Sequence, residues 1–115
     1  MKEIKAFIHA HRAADLLQAL KEAEANGTRI CNLAVFTVKT LLRDTDAGEA
    51  RYSMELAETV INEIKVELLC PDEVVAFLVE IIKRVAHTGD HEEGWVVVTD
   101  TLLAVRVGIS GGDNP

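Results

Sequence analysis

Val60-Ile61-Asn62-Glu63-Ile64-Lys65-Val66-Glu67-Leu68-Leu69-Cys70-Pro71-Asp72-Glu73-Val74-Val75 decides the fold, because its hydrophobic period changes within it. Up to Leu69 the pattern has period two. Val60, Ile64, Val66 and Leu68 share one face apart from Asn62, while Glu63, Lys65 and Glu67 take the other. That alternation reads as a strand. Pro71 suits the first turn of a helix, where its missing N–H would have no intrahelical partner. Val74, Val75, Leu78, Ile81, Ile82 and Val85 then recur at helical spacing through Ala86.

The same switch occurs earlier in the chain. Lys2 to His9 alternates, with Ile4, Ala6 and Ile8 on one face and Glu3, Lys5, Phe7 and His9 on the other. From Arg12 the period becomes helical, through Ala13, Leu16, Leu17, Leu20 and Ala23, and Asn26-Gly27 ends that helix. Thr28 to about Val38 reads as a second strand and Trp95 to Val98 as the fourth long one. Leu102 to Val107 is a candidate short extra strand. Two strand–helix–strand halves give an α+β, ferredoxin-like βαββαβ sandwich with an antiparallel sheet and both helices on one face. The helix-free face must then meet water or another copy of the chain. Glu3 and Lys5 should lie beside Glu63, Lys65 and Glu67 there, as a solvated face or as cross-strand and inter-subunit ion pairs.

The chain has 115 residues, enough for one domain with a real core. Its net charge of −7 disfavours nucleic acid and anionic lipid as partners. Aromatics at 4% disfavour a base-stacking platform. The N-terminus lacks a signal-peptide pattern, and no apolar run approaches the roughly 20 residues that span a bilayer. The expected location is the cytoplasm, with Cys31 and Cys70 as reduced thiols. No catalytic pattern stands out. Ser53 and Ser110 are not in a nucleophile-elbow setting, and there is no Walker loop or dinucleotide glycine fingerprint. The expectation is a protein that is not an enzyme.

Some residues have metal-ligating chemistry. His9 and His11, at i, i+2 at the close of the first strand, would share a face. His87 and His91 flank an acidic loop with Asp90, Glu92 and Glu93. Cys70 precedes Pro71 and so is a candidate N-cap of the second helix, where a thiolate is stabilised. Pairing of the second and third long strands about residue 50 would bring Cys31 near Cys70. His9, His11, His87, His91, Cys31 and Cys70 are therefore the candidates for a metal-binding or metal-tolerance role.

The order of these elements, with a long loop between the second and third strands, resembles the PII-type signalling proteins. Met1-Lys2-Glu3-Ile4-Lys5-Ala6 resembles the family's first strand. Ile64-Lys65-Val66-Glu67-Leu68 followed by Pro71-Asp72-Glu73 resembles its third strand and second-helix entry. Ala86-His87-Thr88-Gly89 followed by Gly94 resembles the B-loop, and Val105-Arg106-Val107 the C-terminal loop. The resemblance implies a homotrimer that binds an adenine nucleotide between subunits and controls a protein target, such as a membrane transporter, without inserting into the membrane.

Carried over, the domain covers residues 1–109 and a tail covers 110–115. The T-loop is about 37–57, the B-loop about 88–95 and the C-loop about 101–108. Thr88, Gly89, Gly94, Arg106, Thr37 and Lys39 become the nucleotide-contact candidates. Arg43, Asp44, Asp46, Arg51 and Tyr52 become the partner-contact candidates. The sequence departs from the family at several of these places. The usual B-loop Thr-Gly-Lys-x-Gly-Asp-Gly-Lys reads Thr88-Gly89-Asp90-His91-Glu92-Glu93-Gly94-Trp95. The usual Gly-Phe-Gly-Arg-Gln at the T-loop base reads Val35-Phe36-Thr37-Val38-Lys39, so the glutamine used for magnesium and 2-oxoglutarate is missing. The second basic C-loop position is Gly108. Acidic side chains near a phosphate cradle repel a triphosphate. ADP or AMP is therefore the expected occupant, rather than Mg-ATP with 2-oxoglutarate.

Overall fold

The structure is a computed structural model that describes residues 1–41, 51–56, 58–89 and 94–108, with the side chains of residues 51, 52 and 59 outside the description. The elements run β1 (Lys2–His9), α1 (Ala10–Ala25), β2 (Cys31–Leu41), β3 (Arg51–Ser53), β4 (Glu58–Cys70), α2 (Val75–Ala86) and β5 (Val96–Asp100). The four long strands lie in the order β2-β4-β1-β5 and every pairing is antiparallel. This is the ferredoxin-like arrangement that the sequence pattern implies. The short β3 pairs with β4 through Arg51–Val60, Tyr52–Thr59 and Ser53–Glu58.

The core lies between the sheet and the two helices. Ile4, Ala6 and Ile8 of β1 and Val66, Leu68 and Cys70 of β4 supply the sheet side. Leu16, Leu20 and Ala23 of α1 and Leu78, Ile81 and Ile82 of α2 supply the helix side. Apart from Cys70, these are the positions that period-two and helical spacing pick out, because a strand turns alternate side chains inward and a helix turns every third or fourth. α1 ends as expected. Asn26 is its C-cap, Gly27 takes φ +100°, and the Thr28 N–H donates to the Ala23 carbonyl at 2.9 Å.

Four local expectations need correction. The first helix begins at Ala10, so His11 lies in its first turn rather than on the strand with His9. β2 begins at Cys31 rather than Thr28, and its register shifts between Cys31 and Ala34, where Asn32 takes φ 52°. Cys70 ends β4, and Pro71 caps a single 3-10 turn, Asp72–Val74, ahead of α2. No strand forms over residues 102–107. After Asp100 the chain makes one bond to β1's start, Thr101 N–H to the Met1 carbonyl at 3.1 Å, and then leaves the ladder.

A hydrogen bond that spacing does not reveal closes the helical layer. Arg12, in the first turn of α1, donates from Nε to the Val85 carbonyl at 2.9 Å, and Nη2 donates to the same oxygen. Carbonyls in a helix's last turn lack intrahelical donors. The guanidinium supplies one at the end of α2 and ties the two helices together. Arg12→Ala should lower unfolding stability by about 1–2 kcal/mol in urea titration. An unchanged midpoint would show that water serves the Val85 carbonyl equally well.

Candidate functional site

The expected contact residues fall into separate groups, and their positions follow from the register. At the His9 end of the sheet, α2 stops at Ala86, with His87 as C-cap, and Thr88 and Gly89 follow. Gly89 takes φ +94°, where a side chain is strained. The chain returns at Gly94 and Trp95. The Phe7 N–H donates to the Trp95 carbonyl at 2.8 Å, so this return extends the β1–β5 ladder by one bond beyond Val96. Gly94 lies hard against β1. A Cβ there would sit 1.6 Å from the Phe7 carbonyl oxygen and 3.4 Å from Glu63 Oε2. Backbone occupies that space, so only glycine fits without moving a strand.

His9, Gly94, Trp95 and α2's Lys83 and His87 border a cavity of about 180 Å³ at this end. Its floor is apolar, from Ile8, Ile82, Ala86 and Val96. The His9 and His11 rings have centroids 5.4 Å apart. Among the described residues, no group of three or more His, Cys, Asp or Glu is placed to hold a metal ion. His91, Asp90, Glu92 and Glu93 lie outside the described residues. The six metal-ligand candidates do not form one group: Cys31 and Cys70 are at the opposite end of the sheet from His9.

Thr37 and Lys39 are on β2, opposite Ile64 and Asn62 of β4. Both are exposed, and Lys39 pairs with Glu55 at 3.4 Å. They alternate with Phe36 and Val38, so they lie on the helix-bearing side of the sheet's outer strand. Of the partner-contact candidates, Arg43, Asp44 and Asp46 lie outside the described residues. Arg51 and Tyr52 form the start of β3.

The helix-free face is not uniformly solvated. Lys65 is central to it, opposite Phe7 on one side and Phe36 on the other. Its ammonium sits 4.6 Å over the Phe36 ring and pairs with Glu67 at 2.9 Å. Lys5, opposite Glu67 as expected, pairs with Glu3 at 3.7 Å. These two ion pairs run along a strand rather than across the ladder. Glu63, expected to be exposed, is only 6% exposed, and the Thr40 hydroxyl donates to its Oε1 at 2.6 Å.

Arg106 is at the other end. Residues 104–108 lie beside Cys31, Asn32 and Leu69 around a cavity of about 540 Å³. Leu69 and Glu63 are six positions apart on β4, on the order of 20 Å. Arg106 and the Gly94 return are thus separated by the sheet's length within one chain. Along the same segment Leu102, Leu103, Val105 and Val107 are between 70% and 101% exposed.

The cysteines are neighbours in register but not partners. Cys31 is opposite Leu69, so Cys70, one residue on, points to the other face of the sheet. Both are free thiols, and Cys70 is fully buried. Burial pushes the Cys70 thiol up from its ordinary value, Cys31 and Asp72 push the same way, and the N-terminal ammonium opposes them. This overturns the thiolate expectation for Cys70.

Three predictions follow from this geometry. Gly94→Ala should destabilise the fold by about 3 kcal/mol, the upper range for overpacking. A loss below about 0.5 kcal/mol, typical of an open surface site, would contradict the close approach. In the native state a thiol reagent at pH 8 should label Cys31 first and Cys70 only on unfolding. Because the folded Cys70 value is raised, its contribution is complete below the ordinary thiol range, about 8.5, and fades as pH climbs through the folded value. Stability should therefore fall more steeply above that range in the native sequence than in Cys70→Ala.

Comparison with known proteins adds the following. The family model described as nitrogen regulatory protein P-II matches residues 1–108. Nitrogen regulatory protein P-II of Azospirillum brasilense is 28% identical over 115 residues, covering 98% of each chain. Nitrogen regulatory protein P-II 1 of Escherichia coli (strain K12) is 29% identical over 107 residues, 93% of this chain and 91% of its own. The P-II protein of Rhodobacter capsulatus gives the same identity and coverage.

Proposed function

Because this chain belongs to the nitrogen regulatory protein P-II family, a family of regulatory signalling proteins, we propose that it works as a trimer with ligand sites between subunits. Each site takes an adenine nucleotide with few phosphates, ADP or AMP. Occupancy alters the T-loop, residues 37–57, and so controls a protein target such as a membrane transporter. The protein acts in the cytoplasm, and among the described residues no helix is long and apolar enough to cross a membrane.

One observation carries this reading. The contact candidates lie at opposite ends of one sheet, with Arg106 beside Cys31 and Leu69, and Gly94 beside Phe7 and Glu63. A single chain cannot bring them to one ligand. Two copies can, if the C-terminal segment of one lies against the B-loop end of the next. The exposed Leu102, Leu103, Val105 and Val107 support that placement, because a row of apolar side chains gains free energy by leaving water. The helix-free face supports it too, offering Phe36 and Val97 on its two outer strands.

The ligand's charge follows from the sequence of the loop. Residues 90–93 read Asp-His-Glu-Glu, and Trp95 stands at its close. Phosphate contacts then fall to backbone N–H groups of Thr88 and Gly89 and to Arg106 from the neighbouring copy. A guanidinium can grip a phosphate bidentately. With one such grip and acidic neighbours, each added phosphate brings more repulsion than attraction.

Titration calorimetry tests this with ADP, AMP and ATP, each with and without magnesium. ADP or AMP should bind more tightly than Mg-ATP, and Arg106→Ala should weaken ADP about ten-fold or more, the worth of a charged hydrogen bond. Mg-ATP binding most tightly would overturn the charge argument. Stabilisation by zinc, copper or nickel, with no nucleotide effect, would favour the metal-binding role instead. A ligand of the folded state raises the melting temperature by mass action, so a thermal shift separates these outcomes.

A further inference from the structure

We infer that Glu63 is a positioning residue that links the last residues of β2, within the first stretch of the proposed T-loop, to the Gly94-Trp95 return beside the proposed ligand cavity. Three observations meet at this side chain. Glu63 is 6% exposed although it sits on the helix-free face. Its Oε1 accepts the Thr40 hydroxyl proton at 2.6 Å, from the penultimate residue of β2. Its Oε2 lies 3.4 Å from where a Cβ on Gly94 would stand.

A buried carboxyl group is costly unless its oxygens are satisfied, so its position is set by what surrounds it. Here one oxygen is held by β2 and the other faces the return to β5. Gly94 itself is wedged against the Phe7 carbonyl, and Trp95 accepts the Phe7 N–H. Closely packed groups of this kind do not deform smoothly, so a displacement on one side is transmitted. If Gly94 shifts, Glu63 must turn or the Thr40 bond must lengthen. If β2 shifts at Thr40, the carboxyl group no longer backs Gly94. The link depends on residues at three separate places in the sequence, each of which looks unremarkable alone. Its use in signalling rests on the proposed function, but the mechanical link exists without a ligand and is measured without one.

Amide exchange of the ligand-free, full-length protein tests it, with the Phe7 amide as reporter, since the Trp95 carbonyl protects that proton. Trp95 emission is a second reporter, because the chain has one tryptophan. Thr40→Val, two strands away, should speed Phe7 exchange about ten-fold, the change expected for one lost hydrogen bond. Thr40→Ser keeps the hydroxyl and should exchange as the native protein does. Glu63→Gln keeps a carbonyl acceptor and should hold most of the protection. In a Glu63→Ala background, Thr40→Val should add nothing at Phe7. Exchange that changes only within β2, a Thr40→Ser effect equal to Thr40→Val, or a full Thr40→Val effect persisting in Glu63→Ala would each overturn the link. The Thr40→Ser comparison stands even if Glu63→Ala fails to fold. Absence of ADP binding would count against the proposed function and leave this result intact.

Discussion

β1 is the constraint on which the rest depends. It runs between β4 and β5, hydrogen-bonded on both edges. Its inward side chains, Ile4, Ala6 and Ile8, are buried against the helices. Such a strand cannot shift by one residue, because every core side chain would change face. Its fixed register sets what stands at each end. The Met1 end holds Cys70, Asp100 and Thr101, with Lys2 pairing to Asp100. The His9 end holds Glu63 and the Gly94 return. Residues 104–108 and the Gly94 return are therefore kept apart, and the proposed ligand, which needs both, must draw them from different copies.

The sheet also explains why residues far apart in sequence act together at one end. β2 and β1 both pair antiparallel with β4, so they run parallel to each other and end at the same place. Val38 and His9 flank Glu63 from the two sides. The last residues of β2 and the Gly94 return are neighbours for that reason alone. A regulator needs such an adjacency, because an effector can only bias a distant arm through groups that have differential contacts in its two arrangements.

The fold was legible because its core obeys simple periods. Leu16 and Leu20, or Val66 and Leu68, announce their faces through spacing, and Asn26-Gly27 announces a helix end through its backbone tolerance. The features that escaped are those in which one part of the chain meets a distant part. Glu63 looks like one of three polar residues on a solvated face, and its burial comes from Thr40 and from Gly94, 23 and 31 residues away in sequence. Arg12 reads as an ordinary helix-surface cation until α2 ends beside it. The shift in register at Asn32 has no signal in hydrophobic spacing. Residues 102–107 alternate as a strand would, with Leu103, Val105 and Val107 in step, but among the described residues they pair with no strand. That exposed apolar alternation suits the proposed contact with a second copy.

The central claim is that this surface belongs to another copy and that the candidate site is incomplete in one chain. Sedimentation equilibrium at micromolar concentration tests it most directly. The account predicts one species of three times the 12.6 kDa chain mass, with Leu103→Asp and Val105→Asp shifting it toward smaller species. A folded, stable particle of single-chain mass across that concentration range would contradict it.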